Sequence, residues 1–304
     1  MKYLIRVPAT TANLGPGFDC LGLALDLWNE VEISSEGQGL SIEIKGVGSD
    51  QLPRDSTNAV YSSMKMFADY HDKDLPKNLK MVCNNRIPLG SGLGSSSAAV
   101  VAGILAATAI LGLPTNLDDQ LRVAAQIEGH PDNVAPCVLG GLTATILEND
   151  QVVSRNLPIS SLNLVLVHPH FMFPTKVARA ALPSQIAYSD AIFNLSHSIL
   201  VIEALRTGDM DLLRIAMRDK LHQPYRLPLI PGASAAIEAA AEAGAVVTVL
   251  SGAGPSLLSF SPSPDQSAII ANAIQSVFVK NNLVSDIFFP AIIMSGANFA
   301  SIIE

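Results

Sequence analysis

Cysteine is scarce in this sequence: 304 residues contain three, Cys20, Cys83 and Cys137. An odd number at wide spacing gives neither a disulfide framework nor the paired ligands of a zinc site, and it suits free thiols in a reducing cytoplasm. Charge is scarce as well, at 15% Asp, Glu, Lys and Arg against 49% hydrophobic residues, a balance that excludes a disordered chain. Basic residues are the minority, 19 against 27 acidic ones, for a net charge of −8. That sign argues against nucleic acid or an anionic membrane as a partner, so an anionic ligand would need local donors. Long apolar runs are also missing. No signal-peptide core precedes Pro8, so no export is expected, and the most apolar stretch, 98–113, falls short of the ~20 residues a bilayer requires. A cytoplasmic protein of roughly two domains is the expectation.

What is present in abundance is glycine and serine at one place. Residues 88–98 read PLGSGLGSSSA, and AAVVAGILAATAIL follows over 98–111. Gly90, Gly92 and Gly94 can take positive φ and let a ligand approach the backbone, while Ser95, Ser96 and Ser97 stand where a helix must begin. The first N–H groups of a helix have no intrahelical partner and sit at the positive end of its dipole, so the stretch reads as a phosphate cradle. The commoner fingerprints are excluded. No lysine lies between Arg86 and Leu113, which rules out a Walker A loop, and Ser95 stands where a dinucleotide fingerprint needs its third glycine. Taken alone the pattern also fits a glycine turn capping a core helix. The serine run favours the cradle, because one serine suffices for a cap and a second hydroxyl can ligate Mg²⁺ beside a polyphosphate.

Along the chain, apolar periodicity predicts strands at 3–7, 21–27, 29–34, 40–44 and 80–83, with 29–44 forming a hairpin around Gly37 and Gly39. Helices are expected from 55–57 through Ala68 and over 117–127, followed by the polar cluster Glu128-Gly129-His130-Pro131-Asp132-Asn133 and a strand at 142–147. In the second half, strands are expected at 164–167, 246–250 and 257–260, and helices near 175–181, 189–206, 209–220 and 233–243. A second glycine loop, SGAGPS, occupies 251–256. Both halves are mixed α and β. The junction falls within 152–162, for domains of 1–155 and 156–304. His168 and His170 lack a third ligand at useful spacing and read as a strand-end loop.

Three segments, PATTANLGPGFDCLGLAL over 8–25, PLGSGLGSSSA over 88–98 and SGAGPSLLSF over 251–260, resemble the GHMP small-molecule kinases. EGHPDNVAP over 128–136 and HQPYR over 222–226 are similar to the branch that phosphorylates L-homoserine. The resemblance implies an α+β fold in two domains: an N-terminal one with a left-handed βαβ crossover and a ferredoxin-like C-terminal one. It implies ATP and Mg²⁺, with the loop from Pro88 through Leu89, Gly90, Ser91, Gly92, Leu93, Gly94, Ser95, Ser96 and Ser97 to Ala98 on the phosphates and Asn58 on the adenine. Ser96 and Glu128 become the Mg²⁺ ligands. Asn13, Asp19, His130, Asn133, Arg179 and Arg226 become the substrate residues, the arginines for a carboxylate, Asp19 for the ammonium, and Asn13, His130 and Asn133 for the hydroxyl. Asn133 replaces the aspartate base of some relatives, and Asp132 is expected not to act as a base. A small-molecule substrate, with neither nucleic acid nor membrane, follows, and a homodimer is compatible with the resemblance. A kinase for mevalonate or a sugar, and a ligand sensor without catalysis, remain as alternatives.

Overall fold

The computed structural model describes residues 1–302. The first half contributes β1 (Lys2–Ala12), β2 (Leu21–Ser34), β3 (Leu40–Gly46), α1 (Ala59–Tyr70), β4 (Leu79–Asn85), α2 (Ser95–Leu111), α3 (Leu117–Glu128), α4 (Val134–Leu139), β5 (Leu142–Glu148) and β6 (Gln151–Leu157). The second half contributes β7 (Asn163–Pro169), α5 (Thr175–Ala180), α6 (Tyr188–Thr207), α7 (Met210–Ala216), α8 (Gln223–Arg226), α9 (Ala233–Glu242), β8 (Val247–Leu250), β9 (Leu257–Ser261), α10 (Pro264–Lys280), β10 (Ser285–Phe288) and β11 (Asn298–Ile302). No helix among the described residues is long and apolar enough to cross a membrane.

The first sheet runs β11-β1-β2-β4-β3, with the β5–β6 hairpin attached to β2. The hairpin expected over 29–44 does not form. β4 lies between β2 and β3, and β3 pairs β4 in parallel, Leu40 opposite Leu79 through Gly46 opposite Asn85. Parallel neighbours need a crossover, and α1 supplies it. Alternation in β3, where Ile42 and Ile44 are buried and their neighbours exposed, set the strand but not its partner. The register of β1 on β2 shifts between Pro8 and Ala9, which face Trp28 and Leu25. This bulge bends the ladder and aims Thr10, Thr11 and Asn13 toward the site.

The second sheet is antiparallel in the order β10-β7-β9-β8, fourth, first, third, second in the chain, which is the ferredoxin-like order. β7 is buried on both faces. Leu164 and Leu166 join the core shared with α2 and the first sheet, whereas Val165 and Val167 join a second core with α9 and α10. Residues 155 and 156 lie inside β6, and β7 begins the second sheet at Asn163. The chain then returns to the first sheet, where β11 pairs β1. The helix expected over 209–220 ends at Ala216, because Asp219 turns its carboxylate onto the N–H groups of Leu221, His222 and Gln223 and starts α8 instead.

Candidate active site

Three loops are stitched into one floor. Thr10 N–H donates to Leu93 O at 3.1 Å and Gly252 N–H to Ala12 O at 3.1 Å. Ser256 N–H reaches Ser91 O at 3.3 Å, and the Ser251 hydroxyl bridges Gly92 O and Thr11 Oγ1 at 2.8 and 2.9 Å. Gly92 is the tightest point: its φ is +79°, and a Cβ there would lie 2.1 Å from Ser251 O. This glycine therefore serves the approach of the second glycine loop, not the open approach of a ligand that the sequence suggests. Gly90 is the open one, since a Cβ would meet only the end of the Met172 side chain, Sδ at 3.7 Å and Cε at 3.9 Å. Ser91 is buried and folds the loop on itself, donating to Pro88 O and accepting from Leu93 N–H. Pro88, Leu93 and Ala98 are buried supports.

Gly94, in the left-handed region, is the N-cap of α2, and no side chain caps that helix. The serines are thus free for another use. Ser96 Oγ donates to Glu128 Oε1 at 2.6 Å and Ser97 Oγ to Oε2 at 2.7 Å. Glu128, the last residue of α3, is aimed back at the start of α2 because Gly129 ends its helix there. The uncapped helix terminus and a carboxylate with two hydroxyls form one polar wall.

Two residues on, His130 Nδ1 donates to Asp132 Oδ1 at 2.9 Å. Burial opposes a charged His130, but the hydrogen bond and charge of Asp132, together with Glu128, outweigh it and hold the pKa above the ordinary value. Asp132 is 2% exposed. Its hydrogen bond to His130 is a partner that sequence reasoning missed. Asn133 Oδ1 accepts from Thr10 Oγ1 at 2.9 Å, another missed partner, visible only once the bulge in β1 is known.

The opposite wall is cationic. Arg179 in α5 forms a two-bond ion pair with Asp19 of the β1–β2 loop, and the Asp19 hydrogen bond is what chiefly raises the guanidinium's affinity for its proton. Arg226 differs. It is 1% exposed and, among the described residues, makes no ion pair; its contacts are Ala178 O, Gly252 O and His222 Nδ1. Burial, followed by the charge of Arg179, pulls its pKa down to about 10, which still leaves it a cation at neutral pH. Phe18 lies beside both guanidinium groups, 5.8 Å from Arg179 and 5.0 Å from Arg226. It sits inside the segment 8–25 that carried the resemblance, next to Asp19, and only its aromatic character hinted at this role. Asn13, at φ +70°, has both ends of its amide committed, Nδ2 to Gly252 O and Oδ1 to Asp19 N–H.

All these side chains line one cavity: Asn13, Asp19, the glycines and serines of the 90–97 loop, Glu128, His130, Asp132, Asn133, Arg179 and Arg226. Gly90, Ser95 and Ser96 also border a second, mainly apolar cavity of about 300 Å³, walled by Leu52, Leu89, Ala98 and Asn58. Asn58 caps α1 through Val60 N–H and donates to Pro53 O, so its amide is occupied by the backbone. His168 and His170 lie elsewhere, on Ser256 and Asp286. The arrangement can hold a polyphosphate at the end of α2 with an apolar group on one side and a small charged molecule on the other.

The family model for the GHMP kinases N terminal domain matches residues 58–141, and that for GHMP kinases C terminal matches 201–280. A homoserine kinase of Moorella thermoacetica is 46% identical over 259 residues, covering 84% of this chain and 86% of that protein. One of Carboxydothermus hydrogenoformans is 39% identical over 285 residues, 94% and 92%. The crystal structure of homoserine kinase from Cytophaga hutchinsonii superposes with a TM-score of 0.88 at 32% identity, covering 98% of this chain and 97% of that one. With both family models matched and relatives of this likeness spanning most of its length, the chain belongs to the GHMP kinases and has their two-domain fold.

Proposed function

We propose that this protein transfers the γ-phosphoryl group of ATP to the side-chain hydroxyl of L-homoserine, yielding O-phospho-L-homoserine on the way to threonine. The names of its relatives support the reading, and one observation carries it. The buried Arg226, which has no ion-pair partner among the described residues, opens into the same cavity as the uncapped start of α2. A cation so placed is a standing demand for an anionic ligand group. Mevalonate offers a carboxylate but no ammonium for Asp19, and a sugar offers neither.

In this reading the backbone N–H groups of the 88–98 loop and the first turn of α2 hold the phosphates, and the apolar cavity beside Leu89 and Asn58 takes the adenine. Ser96 and Glu128 supply hard oxygen donors that suit Mg²⁺, with Ser97 fixing the second carboxylate oxygen. When bound, that ion neutralises charge on the polyphosphate. Arg226 and Arg179 take the substrate carboxylate, Asp19 the ammonium, and His130 and Asn133 the hydroxyl. Asn13 contributes by holding Asp19 and Gly252 in place. A zwitterion can replace the Asp19–Arg179 pair with one partner for each, so neither charge is left alone.

ADP release measured with homoserine, serine, threonine, mevalonate and galactose tests the assignment. Turnover with homoserine well above the others is expected. Preference for another alcohol would reassign the substrate, and no turnover with any would favour a sensor on the kinase fold. Ser96→Ala is expected to lower kcat about 10-fold or more and raise the Mg²⁺ requirement, since a charge-assisted contact is lost while Ser97 still holds Glu128.

A further inference from the structure

Among the described residues, the hydrogen-bond acceptors of Arg226 are all neutral. Its Nε donates to Ala178 O at 3.2 Å, and its Nη1 to Gly252 O at 3.4 Å and to His222 Nδ1 at 3.3 Å. The first two acceptors belong to the backbone and come with the fold. The third is a side chain, one helical turn earlier, and a ring nitrogen can accept only while it carries no proton. The other nitrogen settles that: His222 Nε2 lies 2.8 Å from Gly15 O, a carbonyl that can only accept, so Nε2 bears the hydrogen and Nδ1 presents its lone pair.

The ring itself has no freedom. His222 is fully buried, and Phe18 stacks on it at 5.2 Å and 21° while also lying against the Arg226 guanidinium. Asp219, buried and bound to the N–H groups of Leu221, His222 and Gln223 and to Asn194 Nδ2, fixes the backbone from which the ring projects. The charged groups facing the imidazole are Asp219 at 3.5 Å from Nε2, Arg226 against Nδ1, and Asp19 across the loop. Burial first, then Arg226, outweigh the two carboxylates and the Gly15 carbonyl and hold its pKa below the ordinary value.

We propose that His222 is a positioning residue for substrate: as a neutral, Nε2-protonated imidazole it accepts from Arg226 and holds that guanidinium facing the cavity. A protonated or absent ring would leave Arg226 with backbone acceptors alone, free to rotate away from a bound carboxylate. A carboxylate in place of the histidine would neutralise Arg226 and compete with the ligand, which gives a neutral acceptor its advantage here. The inference rests on the reading of Arg226 as the carboxylate site. Homoserine turnover by the unaltered protein tests the substrate, and the homoserine KM of Arg226→Ala tests that reading, both separately from His222.

Two amides divide the two nitrogens. Asn places its side-chain carbonyl near Nδ1 and can accept from Arg226; Gln reaches the Nε2 position and can donate to Gly15 O. His222→Gln is expected to raise the homoserine KM about 10-fold or more with the ATP KM within about 2-fold, and His222→Asn to restore the homoserine KM to within about 3-fold. Equal KM values for the two variants, or losses that follow their melting temperatures in either order, would overturn the proposal. Histidine nitrogen NMR on the unaltered protein supplies a test that no folding defect can spoil. A neutral Nε2–H tautomer for His222 at pH 7 is expected, and an Nδ1–H tautomer or a doubly protonated ring would overturn the assignment.

Discussion

Arg179 and Asp19 hold each other, Nη1 on Oδ2 at 2.9 Å and Nη2 on Oδ1 at 2.8 Å. They come from opposite halves of the chain, α5 and the β1–β2 loop, and in the proposed function they serve opposite ends of one zwitterion. The pair is about one-third exposed on each side. Water screens it, so opening it costs little. Arg226, whose guanidinium lies 5.0 Å from the same Phe18 ring that Arg179 approaches at 5.8 Å, has no such partner among the described residues.

The two arginines should therefore differ in their weight. Arg226→Ala is expected to raise the homoserine KM about 10- to 150-fold, as for a lost hydrogen bond to a charged group worth roughly 1.5–3 kcal/mol. Arg179→Ala is expected to raise it only about 2- to 5-fold, in the range of an exposed pair, because the unaltered side chain must first leave Asp19. The ATP KM should stay nearly constant in both. Steady-state kinetics at saturating ATP decide it, and a larger loss at Arg179 would reverse the ranking.

The glycines of the cradle should also separate. A side chain at Gly92 would enter the carbonyl of Ser251, so Gly92→Val is expected to lower the melting temperature by several degrees along with activity, a cost of some 3 kcal/mol or more from overpacking and a left-handed φ. Gly90→Ala makes only ordinary contact with the Met172 side chain and bears only the strain of φ +58°, roughly 1–2 kcal/mol. It should fold and show its defect in the ATP KM. Thermal melts beside ATP titrations distinguish the two, and an unchanged melting temperature for Gly92→Val would contradict the packing role.

Much of this was legible in the residues and some was not. PLGSGLGSSSA announced a helix start with spare hydroxyls, and α2 begins at Ser95 as expected. The 88–98 loop could not reveal that Gly92 faces another loop, because that neighbour is some 160 residues away in the chain. Alternation over 29–44 gave two strands but not the insertion of β4 between them, since a strand's period says which faces are buried and nothing of which edge is paired. Glu128, His130 and Asn133 were read from a six-residue cluster and do converge. Phe18 and Thr10 act through long-range contacts that no local pattern encodes, and His222, though only one helical turn from Arg226, has its tautomer set by the Gly15 carbonyl some 200 residues away in the chain.

Outside the cavity, His168 should make stability sensitive to acid. Burial, followed by the charge of His170, pushes its pKa from 6.5 to about 4, and Nδ1 pairs with Ser256 Oγ at 3.1 Å. Between those two values the unfolded chain binds a proton that the folded one does not. Stability is therefore lost as pH falls from 6.5 toward 4, by about 3 kcal/mol at the lower end. His168→Asn can keep the contact to Ser256 without the proton site. Urea unfolding at pH 7 and pH 4.5 should show the unaltered protein losing roughly 2 kcal/mol more than the variant, and parallel losses would mean that His168 is protonated in the fold.

Asp132 is the carboxylate best placed to be mistaken for a base. It is buried, lines the cavity and stands next to Asn133, whose amide cannot take a proton at neutral pH. Yet Oδ1 already accepts from His130 Nδ1, and its effect is to hold that imidazole in position and favour its charged form. A loose, metaphosphate-like transition state needs little basicity from the attacking hydroxyl, so its proton can leave late, to the phosphate itself. Asp132→Asn is therefore expected to keep turnover within about 10-fold, against the 100-fold or greater loss expected when a general base is removed. The same variant should lower the His130 pKa, which NMR titration can follow. The sign for stability is set by the direction of that shift: a raised pKa stabilises the fold below pH 6.5, and that contribution fades as pH rises through the folded value, so the variant should lose stability on the acid side and little above it. A folded variant that binds both substrates, shows the shifted His130 and still loses 100-fold in kcat from pH 6 to 9 would make Asp132 the base.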